Sequence, residues 1–171
     1  YATLSNLVYQ ANGGTPDPSS GWVVYATPGT LGMTIQSGYY GVAYRNVNTN
    51  EIVLAHRGTQ IWSGKDLVSG WQSIAGQVPN QFPDAEAFYA AVLNKAVTEG
   101  LQVTSISQTG HSLGGSIARY LAAKEGQAGV LFNAPGVTSP DQMPPNPNTV
   151  GLLAINAKYD KVSEFGTQVG T

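Results

Sequence analysis

Short apolar runs along the chain alternate with longer segments whose apolar residues recur every three or four positions. The short runs are rich in β-branched and aromatic residues, which is typical of strands, and the longer repeat is typical of helices. Glycine, proline and asparagine clusters separate them. The pattern predicts strands at residues 22–25, 39–45, 51–57, 103–109, 129–133 and 150–156, and helices at residues 1–10, 85–99 and 116–125.

The order of these elements predicts the fold class. The runs 39–45 and 51–57 are separated by Asn46–Asn50, which is typical of a hairpin loop, and helices and strands alternate after them. We therefore expect an α/β fold whose mixed, mostly parallel sheet starts with an antiparallel hairpin. The last two runs resemble buried parallel strands, because they are short and almost entirely apolar.

The strand at 103–109 runs directly into Gly110-His111-Ser112-Leu113-Gly114, and a helical pattern follows. A sharp strand-to-helix turn projects its central side chain above the sheet, and flanking glycines remove Cβ atoms that would collide with neighbours. A serine held in this way becomes a nucleophile when a base and an oxyanion site are close. The motif predicts Ser112 as nucleophile and the Leu113 N–H as half of an oxyanion hole.

Composition narrows the classes of function. The chain has 171 residues, a net charge of −2 and no cysteine, so we expect one domain and exclude disulfide scaffolds and thiolate chemistry. No basic stripe indicates nucleic acid and no apolar run approaches a membrane span. The sequence predicts no cofactor and no metal cluster, although loop carbonyls and aspartates leave calcium binding open. Few charges with many small polar residues favour an exported, bacterial-like protein.

A second motif, Ala55-His56-Arg57-Gly58-Thr59, follows the strand at 51–57, and a third, Asp160-Lys161-Val162, follows the strand at 150–156. With Gly110–Gly114, the three motifs resemble the class 3, fungal-lipase-like lipases of the α/β-hydrolase superfamily. The resemblance implies a helix layer on each face of the sheet, Thr59 as second oxyanion donor and Asp160 as triad acid. Phe132–Val137 resembles the family's Gly-x-Pro-x-Val segment, with Asn133 in place of glycine.

The triad of this family needs a histidine after the aspartate, and the only histidines are His56 and His111. We expect His111 to pack against the sheet and His56 to line the core or the pocket, so neither is a good base. We therefore expect this lipase-like domain of residues 1–171 to stop just short of the triad histidine. A histidine from a second polypeptide, or a catalytically inactive relative, also fits.

The segment after Thr59, residues 60–71, places Ile61 and Trp62 among polar residues. An amphipathic make-up of this kind is typical of a lipase lid or substrate contact, and equally of a surface helix. The sequence thus predicts a serine carboxylic-ester hydrolase acting on an acyl ester or lipid, with transient contact to a lipid interface. The alternatives are an inactive lipid-binding or interaction module, and acyl transfer to another alcohol by the same residues.

Overall fold

The computed structural model describes residues 1–58 and 78–170. Its α-helices in that range are α1 (Ala2–Leu7), α2 (Phe82–Thr98) and α3 (Leu113–Glu125), and short 3₁₀ turns occur at Ala11–Gly13, Pro18–Ser20, Val78–Gln81 and Pro140–Gln142. The strands are β1 (Trp22–Ala26), β2 (Gly41–Asn46), β3 (Glu51–His56), β4 (Ser105–His111), β5 (Ala128–Phe132) and β6 (Leu152–Ile155). Every element expected from the pattern is present, with shifted ends.

The six strands form one sheet in the order β1-β2-β3-β4-β5-β6. β1 and β2, and β2 and β3, pair antiparallel, whereas β3 to β6 run parallel to one another. Asn50 closes the β2–β3 hairpin with a φ of 60°, a left-handed conformation that asparagine tolerates better than most residues. The expected mixed sheet that begins with an antiparallel hairpin is confirmed.

Helices cover both faces of this sheet, as expected. Alternate residues of β3 point to opposite faces, because side chains alternate along a strand. Val53 and Ala55 pack with Leu4 and Val8 of the α1 region, whereas Ile52 and Leu54 pack in a larger cluster with residues of α2 and α3. This alternation buries β3 almost completely and makes it the centre of the core.

The register of β3 and β4 brings two of the sequence motifs together. His56 at the end of β3 is the partner of Gly110 near the end of β4. Because the two strands are parallel, Arg57-Gly58 and Ser112 leave the sheet at the same edge. In open α/β sheets, ligands bind outside the carboxyl ends of the strands.

The interpretation of the last apolar run as a buried strand is wrong. β6 is an edge strand, and although Leu152 is buried, Leu153 and Ile155 each keep 44% of their surface exposed. Leu152 packs with Ala122 and Ala123 of α3, whereas Leu153 and Ile155 point to the other face. An apolar run does not distinguish a strand buried on both faces from one covered on a single face.

Candidate active site

Ser112 occupies a strained turn between β4 and α3. Its φ of 56° and ψ of −128° are rare for a residue with a side chain. Its N–H donates to the carbonyl of Phe132 at 2.9 Å, and its own carbonyl accepts from Gly115 N–H at 2.9 Å. These two bonds hold the strained backbone in place, and strain of this kind concentrates at functional sites. The predicted turn at Ser112 is therefore present.

Two glycines allow the close contacts around this turn. A Cβ on Gly110 would collide with the backbone of Gly114, and a Cβ on Gly114 would collide with the carbonyl oxygen of His56. The same Gly114 Cβ would lie 2.9 Å from the N of Gly58. The backbone at the start of α3 thus lies in close contact with the segment after β3. This contact explains why the motif has glycine at position 114.

Replacing Gly114 by alanine is expected to lower the free energy of unfolding by about 3 kcal/mol, because the methyl group overlaps backbone atoms that cannot rotate away. Urea unfolding measures the change. Gly29→Ala is the matched control, because a Cβ there meets only the Thr27 hydroxyl at 3.8 Å. We expect the control to stay within about 1 kcal/mol of the parent. Equal stability of both variants would contradict the close contact.

Leu113 is the first residue of α3, so its backbone N–H lies at the N-terminal end of the helix. Its side chain is buried. The first N–H groups of a helix have no carbonyl partner within it, and the helix dipole favours negative charge there. This geometry suits an oxyanion donor. The predicted second donor, Thr59, and the lid or substrate contacts, Ile61 and Trp62, lie outside the described residues.

Tyr9 joins the two backbone segments of the site, and the sequence analysis did not identify it. Its hydroxyl accepts from the buried Gly58 N–H at 3.0 Å and donates to the carbonyl of His111 at 3.3 Å. Gly58 leaves β3, and His111 immediately precedes Ser112. One phenol oxygen therefore fixes the spacing of both segments, and no local signal in the sequence links a residue after α1 to them.

Removing this oxygen in Tyr9→Phe is expected to lower kcat for ester hydrolysis by the full-length protein about tenfold, with little change in KM. The buried Gly58 N–H loses its acceptor, and small displacements of catalytic groups are costly. Steady-state kinetics measures both constants. Tyr25→Phe is the control, because it removes a hydroxyl that bonds only surface Glu99 at 2.7 Å. An unchanged kcat in Tyr9→Phe would show that the two hydrogen bonds of the Tyr9 hydroxyl do not position the active site.

Asp160 lies on the loop after β6, at the same edge of the sheet as Ser112. Its N–H donates to the carbonyl of Ala157 at 3.0 Å, and its Oδ2 accepts from Ser163 N–H at 2.7 Å. Partial burial lowers the pKa of His111, and the negative charge of the Asp160 carboxylate opposes this effect without cancelling it. Asp160 is therefore fixed by backbone contacts in the neighbourhood of the turn that carries Ser112.

Asn133 connects the end of β5 to this aspartate loop. Its N–H donates to Ile155 at 2.9 Å, and its Oδ1 accepts from Ala157 N–H at 2.7 Å. Its φ is 45°, in the left-handed region where asparagine and glycine are favoured. Asn133 thus adopts a conformation that glycine also tolerates, and its side chain adds a hydrogen bond to the Asp160 loop.

We expected His111 to pack against the sheet, because adjacent side chains at a sharp turn point apart, and this expectation is wrong. His111 is exposed, and with Tyr9, Asn133 and others it lines an open cavity of about 320 Å³. Its ring meets the Tyr9 ring edge-on at 6.3 Å between centroids. The hydrogen bonds of the described residues include none between its ring and Ser112. The side chain at the end of β4 faces away from α3, which places it beside the turn rather than beneath it.

His56 is fully buried, which confirms a core position, and both of its ring nitrogens are engaged. Nδ1 lies 3.0 Å from the hydroxyl of Tyr39, and Nε2 lies 2.8 Å from Oε1 of Gln108. Burial lowers the pKa of His56 to about 4, against the opposing effect of the Gln108 bond. With both nitrogens occupied in the core, His56 has no free lone pair for the Ser112 proton.

Within residues 1–58 and 78–170, no group of three or more His, Asp or Glu side chains is arranged to hold a metal ion. Over the same residues, no helix combines the length and the hydropathy that crossing a membrane requires.

A mixed, mostly parallel sheet with a strained serine turn after a central strand, and an acidic loop two strands away, is typical of the α/β-hydrolases. Comparison with family models agrees, since the Tle-like phospholipase domain model matches residues 1–163. The chain belongs to this family of Tle-like phospholipase domains. A search of curated proteins finds no match.

Solved structures confirm the fold. The chain is similar to the Lip2 lipase of Yarrowia lipolytica, with a TM-score of 0.64 and 17% identity over 96% of this chain and 71% of that one. It is also similar to the Rhizomucor miehei lipase in its propeptide complex, with a TM-score of 0.59 and 17% identity over 85% of this chain. The chain spans about half, 52%, of the length of the Rhizomucor lipase.

Proposed function

We propose that the protein is a serine hydrolase of lipid carboxylic esters that works through an acyl-enzyme on Ser112. The observation that carries the proposal is the strained backbone of Ser112, φ 56°, held between β4 and the N-terminal end of α3. Membership of the phospholipase-like family supports a lipid ester as substrate. Both structural neighbours are lipases, which is consistent with that class.

The reaction has two halves. Ser112 Oγ attacks the ester carbonyl carbon, its proton passes to an imidazole base, and the carbonyl electrons move to the oxygen as an oxyanion. The Leu113 N–H stabilises this oxyanion, and Thr59 is the proposed second donor. The tetrahedral intermediate collapses, and the alcohol leaves with the proton from the imidazole. Water then repeats the same steps on the acyl-enzyme and releases the carboxylic acid.

The imidazole base in this proposal comes from outside the 171 residues, and Asp160 orients it. Two observations support this assignment. Both nitrogens of His56 are hydrogen-bonded in the core, and the ring of His111 makes no hydrogen bond to Ser112 among the described residues. The chain also covers only 52% and 71% of the lengths of the two neighbouring lipases.

We further propose that residues 1–171 form one lipase-like domain of an exported protein, with Ile61 and Trp62 as lid or substrate contacts. A single sheet that includes strands from Trp22 to Ile155 supports one domain. The small content of charged residues, 11%, and the lack of cysteine in the sequence support export.

Reaction with a dialkyl p-nitrophenyl phosphate tests the nucleophile directly. In the full-length protein Ser112 Oγ should attack phosphorus, lose its proton to the base and expel p-nitrophenolate, leaving a dialkylphosphoryl group on the serine. Peptide mass spectrometry then locates the added mass. We expect it on Ser112, and we expect labelled protein to lose its activity on p-nitrophenyl esters in proportion.

Two other outcomes would contradict the proposal. A label on a different serine that tracks the loss of activity would move the nucleophile elsewhere. A full-length protein that neither reacts with the phosphate triester nor cleaves an ester would favour the inactive lipid-binding module. Binding to phospholipid vesicles without turnover would then be the result that this alternative predicts.

A further inference from the structure

A series of hydrogen-bonded side chains, buried at His56 and Gln108 and partly buried at its far end, is not used by the proposed mechanism. It contains five side chains joined by four bonds, in the order Tyr39, His56, Gln108, Gln127 and Tyr89, with lengths of 3.0, 2.8, 2.7 and 2.7 Å. His56 and Gln108 are fully buried, and Tyr39 is nearly so. This series of hydrogen bonds runs from the loop before β2, across β3 and β4, to α2.

The direction of these bonds fixes the tautomer of His56. The amide NH₂ of Gln127 donates to Tyr89, and that of Gln108 donates to Gln127, so the Oε1 of Gln108 faces His56 as an acceptor. Nε2 of His56 must then carry the hydrogen, and Nδ1 accepts from the Tyr39 hydroxyl. Burial raises the pKa of Tyr39 well above its ordinary value, so that hydroxyl keeps its proton.

The backbone of the same histidine touches the turn that carries the nucleophile. The carbonyl oxygen of His56 lies against Gly114, so closely that only a glycine fits there. Two residues later, Gly58 contacts both Gly114 and the hydroxyl of Tyr9. A shift of the end of β3 would therefore move the residues 56–58 relative to the start of α3, where the Leu113 N–H lies.

We propose that His56 is a positioning residue for the active site, whose neutral Nε2–H imidazole locks the end of β3 against the start of α3. The inference rests on the proposed function, because it assigns the residue a role in ester hydrolysis. The three inner members, His56, Gln108 and Gln127, each donate one bond and accept one. Reversing His56 or Gln108 alone would leave a buried polar group unpaired, which favours a single arrangement at these two residues. This arrangement also fixes the backbone of residues 56–58, which contacts Gly114 at the start of α3.

Two substitutions at His56 separate positioning from packing. His56→Leu fills the space with an apolar side chain but breaks the chain on both sides, whereas the amide of His56→Gln can still accept from Tyr39 and donate to Gln108. We expect kcat of the full-length protein to fall about tenfold or more in His56→Leu, with KM nearly unchanged, and to return to within about threefold of the parent in His56→Gln. If His56→Leu does not fold, Tyr39→Phe removes only the bond to Nδ1 and should lower kcat in the same direction.

Nitrogen-detected NMR of the full-length protein supplies a readout that a purely structural role would not move. We expect His56 to stay in the Nε2–H form from pH 5 to 8, because burial lowers its pKa to about 4. Tyr39→Phe should raise that pKa, since the neutral form loses its donor at Nδ1. His56 and His111 are distinguished by substituting each in turn.

The experiment distinguishes failure of the positioning role of His56 from failure of the proposed ester hydrolysis. A parent protein without esterase activity overturns the proposed function, and the positioning role with it. An active parent with an equally active, folded His56→Leu variant overturns only the positioning role. An ordinary titration of His56 near pH 6.5, or an Nδ1–H tautomer, also overturns it.

Discussion

Ser112→Ala is expected to abolish ester hydrolysis by the full-length protein, with a loss in kcat of about 10⁵-fold. The substitution removes the proposed nucleophilic oxygen and leaves only the catalysis that substrate binding and oxyanion stabilisation provide. The expected change is chemical rather than structural. The turn at residue 112 is held by backbone bonds to Phe132 and Gly115, which alanine can still make.

Hydrolysis of short p-nitrophenyl esters, with circular dichroism on the same samples, checks this expectation. Ser105→Ala is a matched control, because Ser105 is an exposed serine at the opposite end of the same strand, β4. The control should retain the parent's kcat and KM. Turnover by a folded Ser112→Ala variant at the parent's rate would remove Ser112 as the nucleophile.

Much of the fold could be predicted from the sequence because its local signals agree with its tertiary arrangement. Each predicted strand is present, and the glycines around Ser112 mark a turn whose close contacts only glycine allows. The hairpin loop that ends at Asn50 is a chemical signal of the same local kind. These features depend on a few neighbouring residues, which a sequence displays directly.

The two expectations that proved wrong both concern burial, which depends on the elements that cover a residue. β6 was interpreted as buried because its residues are apolar, yet it is the edge of the sheet, and Leu153 points to a face without α3. His111 was expected to be packed, but it lines an open cavity beside the turn. Neither property is set by a local pattern, since each depends on the position of elements distant in sequence.

The candidate site was predicted in part for the same reason. Motifs identified Ser112, Leu113 and Asp160, and the roles of these residues stay predictions, as do those of Thr59, Ile61 and Trp62. The supporting contacts could not be identified, because Tyr9 reaches Gly58 across 49 positions and His56 reaches Gln108 across 52. The first contact arises only when the segment after α1 packs on the sheet, and the second only when the register brings β3 and β4 side by side.

Asp160→Asn is expected to lower kcat by about 10⁴-fold while leaving the fold and KM nearly unchanged. An amide has the shape of the carboxylate, and its oxygen can still accept from Ser163 N–H, the bond that holds the loop. It carries no negative charge, however, so it neither stabilises the imidazolium that forms in the reaction nor selects the tautomer that accepts the Ser112 proton. A loss of this size without unfolding would therefore report on the triad rather than on the loop.

Kinetics of the full-length variant, with urea unfolding to confirm an intact fold, measures this effect. Asp141→Asn is the matched control, since Asp141 also accepts from a nearby serine, Ser139, but lies in the 3₁₀ turn Pro140–Gln142. It should leave kcat unchanged. A kcat within twofold of the parent in Asp160→Asn would remove Asp160 from the triad, whereas equal losses in both variants would indicate a general effect of the acidic loops. A loss confined to Asp160→Asn would also imply an imidazole for it to orient, which ties this result to the base proposed outside the 171 residues.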